Sequence, residues 1–444
     1  MELRFSRRKI LQGAGGAAVA QSLERAAESA PIPRKWPIEE GPETPKLCLA
    51  PGDGGLPLEA SAPAAPPRGG GGSAYGGYLD PKNGPILTGN QMVAYERIRQ
   101  LGVTHLLGVN VAAAGGNWTE ESVRNAVDLA KSAGMVAYNA MINVPASVIY
   151  GKDTRAKDLE PFIASLQAAG KGGLTVVEYN FYAHRATEGY YETIGRANSG
   201  YTGFDSELDL LIDENGRVLS PLYRDAGGQL TAETIAAFPN SKKIKFKDLP
   251  PLANEGAHTL DEMWANITYF LKAVIPVAEK AGIRMALHPN DPPTQVSRGS
   301  QQIMSTLAGW KHLIGIVDSP ANGITFDCGV TRELGEDAIT TAEYFAGRKR
   351  INHVHYRNVQ VVKPYEKYEE VFIDAGMNDM FGVMKALVRN KYTGTIYPEH
   401  PRALDYDRER TGRLPGYPGG GGYAGITFSV AYARAMMQAA LESV

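Results

Sequence analysis

The feature that most constrains the fold of this chain is a repeated alternation of short β-rich runs and helix-period segments. From residue 46 onward, apolar runs rich in branched and aromatic residues end in polar residues, and helix-period segments that often close in glycine follow them. The predicted strands are 46–52, 103–110, 135–142, 174–181, 284–290, 323–329, 351–358 and 393–400. Helices are predicted near 90–101, 119–132, 156–169, 260–281, 300–314, 333–348, 379–390 and 427–442. Eight strands, each followed by a helix, predict an α/β fold, a (β/α)8 TIM barrel.

A doubly wound open sheet is the alternative fold. The first predicted strand is weak, which leaves room for such a sheet. Against it, no Gly-rich phosphate loop follows that strand.

The N-terminal segment resembles a twin-arginine export signal. Residues 1–30 begin with a basic region that holds Arg7 and Arg8 in "SRRKIL" and continue into a short, weakly apolar segment of small residues. This pattern predicts a signal peptide and a periplasmic or otherwise exported protein with no stable membrane insertion after removal of the signal. An unprocessed N-terminal arm on a cytoplasmic protein is the alternative.

The remaining chain, 31–444, is predicted to be a single barrel domain with two additions. Residues 53–90 are rich in Gly and Pro and predict an N-terminal loop. An insertion after the fourth strand, 182–258, interrupts the alternation. Because loops at the C-terminal ends of barrel strands build the active site, we expect this insertion to cap it. A role in a homo-oligomer is the alternative.

Composition narrows the class of partner. The chain has 46 Lys and Arg against 48 Asp and Glu, and no basic stripe interleaved with aromatic residues, so a nucleic-acid partner is not expected. Its two cysteines, Cys48 and Cys328, lie far apart in unlike contexts, which argues against a disulfide scaffold. A small-molecule substrate is the better expectation.

Four successive strands end in potential metal ligands. These are His288, Cys328, His355 and Glu399 on the fifth to eighth predicted strands. Taken singly, each residue has an ordinary structural explanation, but the C-terminal ends of barrel strands converge on one mouth. Two imidazoles, a thiolate and a carboxylate suit a divalent transition metal ion and suit Mg or Ca poorly.

The side-chain period of two sorts the neighbouring polar residues. His353, His355 and Arg357 share one face of their strand. Because His355 lies closer to the mouth than His353, we assign His355 as the ligand and His353 as its support. Arg357 is placed to pair with a carboxylate, either that of the substrate or that of the eighth-strand ligand. Glu178 and Asn180 share a face of the fourth strand, where either could line the pocket or belong to an internal hydrogen-bonded layer.

Several motifs in order resemble the mannonate dehydratase family. They are "FLKAVIPVAEKAGIRMALHPNDPP", "GITFDCG", "RINHVHYRNV", "NDMFGVMKALVRNKYTGTIYPEHPR" and "LPGYPGGGGYAGITF", with "YNF" and "GYTGFD" in the middle region. The resemblance covers roughly residues 95–440, and its specificity comes from the recurrence of the motifs in order.

The resemblance implies a barrel related to xylose isomerases that binds Mn or Fe and removes water from D-mannonate to give 2-keto-3-deoxy-D-gluconate. The metal ligands that it implies fall on the four strand-end residues named above. It also implies that His400 and Tyr417 are catalytic.

The chain departs from the family pattern at four places. Asn290 stands where the family has an acidic residue. The next residue, Asp291, is assigned to substrate binding or to support of the site, together with Asn180, His353 and Arg357. Tyr397 replaces an arginine, Glu399 an aspartate, and Pro401 a glycine. These departures bear on the substrate more than on the reaction class.

Two other functions fit the same barrel. One is a metal-dependent sugar isomerase or epimerase, which Cys328 argues against because oxygen-rich isomerase sites do not use a thiolate. The other is a non-catalytic periplasmic protein that binds a sugar acid.

Overall fold

A computed structural model describes residues 39–54, 79–80, 84–85, 89–112, 116–219, 228–407 and 418–444. Its described residues from Glu40 onward belong to one compact unit. The predicted export signal, most of the Gly/Pro-rich segment and Tyr417 lie outside the described residues.

The core of the molecule is a closed barrel of eight parallel strands. They are β1 (Lys46–Leu49), β2 (His105–Leu106), β3 (Val136–Ala137 and Asn139–Met141), β4 (Val176–Tyr179), β5 (Arg284–Leu287), β6 (Asn322–Asp327), β7 (Ile351–His355) and β8 (Thr395–Tyr397). Each strand pairs with its neighbours in chain order, and β1 pairs with both β2 and β8. The barrel prediction is confirmed. The open-sheet alternative is wrong, because the pairing of β1 with β8 closes the sheet.

The third strand is interrupted at Tyr138 without opening the barrel. Its first half pairs with β2 and its second half with β4. Between them, the N–H of Tyr138 donates to the carbonyl of Leu106, and its carbonyl accepts from the N–H of Val176. The interrupted residue therefore keeps both neighbours attached.

One long helix follows each strand, and the shorter helices Ala146–Ile149 and Ala232–Ala237 precede two of these long helices. The long helices are α1 (Gly89–Gln100), α2 (Glu120–Ser132), α3 (Arg155–Gly172), α4 (Leu260–Ala281), α5 (Leu307–Ile316), α6 (Ala338–Gly347), α7 (Met380–Arg389) and α8 (Tyr423–Glu442). Two begin later than predicted. The chain before α5 is a hairpin in which Ser300–Gln301 pairs with Val296–Ser297, and a short helix, Cys328–Glu333, precedes α6. Gly335, with a φ of +83°, separates that short helix from α6.

Helix α4 shows how local sequence sets the elements. Thr259 and Glu262 form a capping box at its start, and Gly282 ends it in the left-handed conformation with a φ of 71°. Its inner face buries Phe270, whose ring lies 5.1 Å from that of Phe162 on α3 and 5.4 Å from that of Tyr179 on β4. The helix layer is thereby fastened to the barrel wall.

A polar layer occupies the barrel interior beneath its C-terminal mouth. Asn139 and Thr325 each donate a hydrogen bond of 2.8 Å to the carboxylate of Glu178. His353 Nδ1 lies 2.9 Å from the hydroxyl oxygen of Thr395. Glu178 thus belongs to an internal layer, one of the two roles that the sequence left open.

A four-stranded antiparallel sheet stands over the mouth. Its strands, in spatial order, are Val359–Lys363, Lys367–Glu370, Gly200–Asp205 and Tyr190–Ile194. The last two come from the insertion after β4, whereas the first two form a hairpin between β7 and α7 that sequence reasoning missed. We call this four-stranded sheet the cap sheet.

Within the part of the chain that the structure describes, no helix is both long enough and apolar enough to cross a bilayer. Cys48 and Cys328 are buried and have free thiols. Cys48 lies on β1 inside the barrel, and Cys328 follows the end of β6.

Candidate active site

Four buried side chains converge at the C-terminal mouth of the barrel. They are His288 after β5, Asp327 at the end of β6, His355 at the end of β7 and Glu399 after β8, and one donor atom from each lies within 4.8 Å of the others. His355 Nδ1 is 3.0 Å from His288 Nε2 and 3.0 Å from Glu399 Oε1. Asp327 Oδ2 lies 3.8 Å from His288 Nε2. We call these four residues the donor group.

The ionisation of the donor group suits a divalent metal ion. Burial lowers the pKa of both His288 and His355, which keeps the imidazoles neutral. Burial, aided by the nearby carboxylate of Asp327 and opposed by His400 and Arg357, raises the pKa of Glu399 to about 8. Two neutral imidazoles facing two buried carboxyl groups form an N/O ligand set that suits a divalent transition metal ion.

The contact on the far side of His288 selects its tautomer. Nδ1 lies 2.7 Å from the backbone carbonyl of Pro289, so we assign the ring proton to Nδ1. The lone pair of Nε2 then points into the donor group. A hydrogen bond on one imidazole nitrogen that prepares the other for a metal ion is usual at metal sites.

Cys328, which the family resemblance places among the ligands, is not brought into the donor group. Its thiol lies 3.2 Å from the backbone carbonyl of Arg357 and 3.5 Å from that of His355, and burial raises its pKa. The preceding residue, Asp327, occupies the position instead, because adjacent residues at the end of a strand point in different directions. A polar residue directly before the cysteine in "FDCG" is the signal that could have found Asp327. Ligation by Cys328 stays a prediction.

Arg357 is a buried cation held among carboxylates of the protein. Its guanidinium nitrogens lie 3.1 Å from Asp327, 3.1 Å from Glu399, 2.7 Å from Glu333 and 3.4 Å from Asp291. Of the two partners that the sequence allowed, the structure shows the carboxylate of Glu399. Arg357 therefore links the carboxylates of Asp291, Asp327, Glu333 and Glu399, which form the wall of the site.

His400 is held in place by the cap sheet. Its Nδ1 lies 3.0 Å from Glu370 Oε2, and its Nε2 lies 3.5 Å from Glu399 Oε2. Arg402 donates to the same Glu370 oxygen at 2.9 Å and to the backbone carbonyl of His400 at 2.7 Å. Burial alone would lower the pKa of His400, but the two carboxylates raise it. Sequence reasoning missed Glu370 and Arg402, although "EHPR" places an arginine two residues after the histidine.

The pocket in front of the donor group is lined by residues of the barrel mouth and of the insertion. They are Met141, Asn180, Tyr182, Arg185, His288, Asp291, His355, Glu399 and His400. Asn180 lies here rather than in the internal layer, and its side-chain oxygen is buried without a hydrogen-bond partner among the described residues. Asp291 accepts a hydrogen bond of 2.7 Å from the hydroxyl of Tyr190 in the cap sheet. The predicted residues Asn180 and Asp291 thus reach the pocket, whereas His353 lies in the layer beneath it.

Two departures from the family pattern have local explanations. The amide of Asn290 donates to Gln302 at 2.7 Å and accepts from the N–H of Met304 at 2.9 Å, so it faces the following hairpin and not the pocket. Tyr397 packs edge-on against His355, with ring centroids 5.6 Å apart, and hydrogen-bonds the carboxylate of Asp53. Neither residue lines the pocket.

Fold and site together define a class: a closed TIM barrel with a buried donor group for a metal ion at its C-terminal mouth. The sequence model of the D-mannonate dehydratase family matches residues 87–443. The chain is 30% identical over 339 residues to a mannonate dehydratase of Enterococcus faecalis, covering 73% of this chain and 89% of that protein. A mannonate dehydratase of Streptococcus equi subsp. zooepidemicus is 28% identical over 308 residues, covering 68% and 79%.

The same fold is found in a solved structure. The crystal structure of mannonate dehydratase from Streptococcus suis serotype 2 superposes with a TM-score of 0.63 and 24% identity, over 82% of this chain and 92% of that one. The match of the family model over most of the chain shows that this chain belongs to the mannonate dehydratase family.

Proposed function

We propose that the protein is a metal-dependent hydro-lyase that removes water from D-mannonate to give 2-keto-3-deoxy-D-gluconate. One observation carries the proposal: in a chain of this family, the donor group lies at the barrel mouth directly beside the His400 ring. The pocket also presents amide and carboxylate side chains that can bind the hydroxyls of a sugar acid.

The reaction requires one proton to leave C2 and another to reach the departing C3 hydroxide. A divalent metal ion, when bound, supplies the positive charge that stabilises the substrate carboxylate as the C2 proton leaves. His288, Asp327, His355 and Glu399 would hold it.

The proton transfers are assigned to His400 and Tyr417. His400 has one nitrogen held by Glu370 and the other directed towards Glu399 at the pocket. A histidine whose far nitrogen is held by a carboxylate keeps a defined tautomer and orientation through proton transfer. Tyr417 is assigned from the family resemblance alone.

We further propose that Mn or Fe is the metal and that the protein is exported through its twin-arginine-type signal. The N/O donor group suits these ions, and the Arg7–Arg8 pair near Met1 supports export. Fractionation of cells that carry the wild-type chain or Arg7→Lys/Arg8→Lys tests the location. Equal amounts of both in the cytoplasm would overturn export.

The decisive experiment offers the Mn- and Fe-loaded protein a panel of aldonic and uronic acids together with neutral aldoses, and assays 2-keto-3-deoxy products. We expect product from D-mannonate with the wild-type protein and none with His400→Ala. Turnover of the aldoses alone would favour the isomerase. Binding of the acid without product, unchanged in His400→Ala, would indicate a binding protein.

A further inference from the structure

The pocket that a negatively charged substrate would enter is lined by two carboxylates, those of Asp291 and Glu399. Within the donor group, Asp327 and Glu399 face the position of the metal ion, and each lies 3.1 Å from the guanidinium of Arg357. The wall adds a third carboxylate, Asp291, whose nearest arginine is shared with other carboxylates. These carboxylates repel a negatively charged substrate, and a positive group that faces the pocket would offset this repulsion.

Two other arginines near the site, Arg357 and Arg402, are held by carboxylates outside the pocket lining. Arg357 is 2% exposed and is surrounded by carboxylates, as described above. Arg402 is 1% exposed and is bound to Glu370 and to the carbonyl of His400. Neither lines the pocket. Rotating either one towards a substrate would leave buried carboxylates without their partner.

Arg185 differs from both, because it lines the pocket. It is half-buried and lies in the insertion after β4. Its Nε–H donates to the backbone carbonyl of Asp291 at 3.4 Å, which places the guanidinium beside Asp291. The planar guanidinium fork matches the two oxygens of a carboxylate.

The segment that carries Arg185 is fastened on both sides. The carbonyl of Ala183 accepts from the hydroxyl of Tyr150, and His184 Nδ1 lies 2.8 Å from Ser297 Oγ. On the other side, Ala186 is 1% exposed and packs in the apolar cluster beneath the cap sheet. A guanidinium presented from a fixed backbone loses less conformational entropy when it binds a ligand.

We infer that Arg185 binds the carboxylate of the sugar-acid substrate, so that the insertion after β4 selects acids over the corresponding neutral sugars. The inference rests on the proposed function, since it names the residue that recognises the acid group. The pattern of polar residues at the strand ends does not include Arg185, because Arg185 lies in the insertion and not at the end of a strand.

The test compares Arg185→Gln with the wild-type protein, both loaded with Mn. We expect the KM for D-mannonate to rise by about 10- to 100-fold in Arg185→Gln, because a charge-assisted hydrogen bond is lost. We expect the affinity for D-mannose, the neutral counterpart measured by calorimetry, to stay within about twofold. Arg185→Lys keeps the positive charge but loses the two-pronged guanidinium, so it should give an intermediate KM. It also serves as the second variant if Arg185→Gln fails to fold.

The matched control is Arg196→Gln, an arginine of the insertion that is half-exposed and paired with Asp374 outside the pocket. Its KM should equal that of the wild-type protein. An unchanged KM in Arg185→Gln, or equal losses of affinity for acid and neutral sugar, would overturn the inference. If the wild-type protein dehydrates no acid, the proposed function fails. The role of Arg185 is then still decided by calorimetry, which compares the affinities for D-mannonate and D-mannose in the wild-type protein and in Arg185→Gln.

Discussion

At the scale of single residues, the composition of the donor group depends on which of two adjacent side chains, Asp327 or Cys328, faces the two imidazoles. Asp327 accepts the N–H of Val330 through Oδ1 and turns Oδ2 towards the imidazoles. Cys328 faces backbone carbonyls instead. The choice is made by the turn from strand β6 into the short helix Cys328–Glu333.

Asp327→Asn is expected to weaken Mn binding by about 10- to 100-fold, because a carboxylate at the centre is replaced by a neutral amide. Calorimetry and metal analysis of the purified variants measure this. Cys328→Ser is the matched comparison at the adjacent position. A loss of metal in Cys328→Ser but not in Asp327→Asn would show that the thiolate is the ligand and that the carboxylate of Asp327 is not.

A second residue-scale prediction concerns pH. The pKa of Glu399 is raised to about 8, so this carboxyl carries a proton at neutral pH in the metal-free protein, and a metal ion must displace it. The pKa values of His288 and His355 are lowered, so these rings do not compete for protons in the same range. Apparent Mn affinity should therefore rise by about tenfold from pH 6 to pH 7 and level off above pH 8.

Calorimetry in buffers of different ionisation enthalpy measures the protons released on Mn binding. We expect close to one proton per ion at pH 6.5 and few at pH 9. Glu399→Gln should bind Mn weakly and without this release. A flat profile in the wild-type protein would contradict the assignment.

At the scale of elements, the cap sheet supplies part of the site as well as covering it. Its hairpin after β7 places Glu370 against His400 and Arg402. Glu369, its neighbour on the same strand, points to the other face of the pleat. One strand of the cap sheet thus offers both a test position and its control.

Glu370→Gln should lower kcat by about 10- to 100-fold with Mn content unchanged, because His400 loses the carboxylate that orients it. Glu370→Asp should restore part of the activity, and Glu369→Gln should behave as the wild-type protein. Since Arg402 loses its charged partner, thermal unfolding is followed in parallel. Equal kcat values in all variants would show that Glu370 does not position the histidine.

At the scale of the whole molecule, stability depends on the helix layer packed around the barrel. Phe270 on α4 is fully buried between α3 and β4. Phe270→Ala should reduce the free energy of unfolding by about 3–5 kcal/mol, through lost burial and the cavity left behind. Denaturant unfolding of the metal-free protein measures this, with the exposed Lys272→Ala as control. A loss below about 1 kcal/mol would show that the surrounding rings close the cavity.

The barrel itself could be predicted because its signals are local. Strand periodicity, helix caps such as Thr259 and closing glycines such as Gly282 act over a few residues, and they located all eight strands and most helix limits. The late start of α5 at Leu307 was missed, since the hairpin before it depends on pairing between Val296–Ser297 and Ser300–Gln301.

By itself, the sequence determined the barrel and the strand ends that bring His288, His355 and Glu399 together, because a closed parallel barrel converges its strand ends on one mouth. Only the tertiary structure placed Asp327 rather than Cys328 in the donor group, and Glu370 against His400. The direction of a side chain beyond a strand depends on the turn that follows. The pairing of Lys367–Glu370 with Gly200–Asp205 joins segments that are distant in the chain, and no local pattern encodes that pairing.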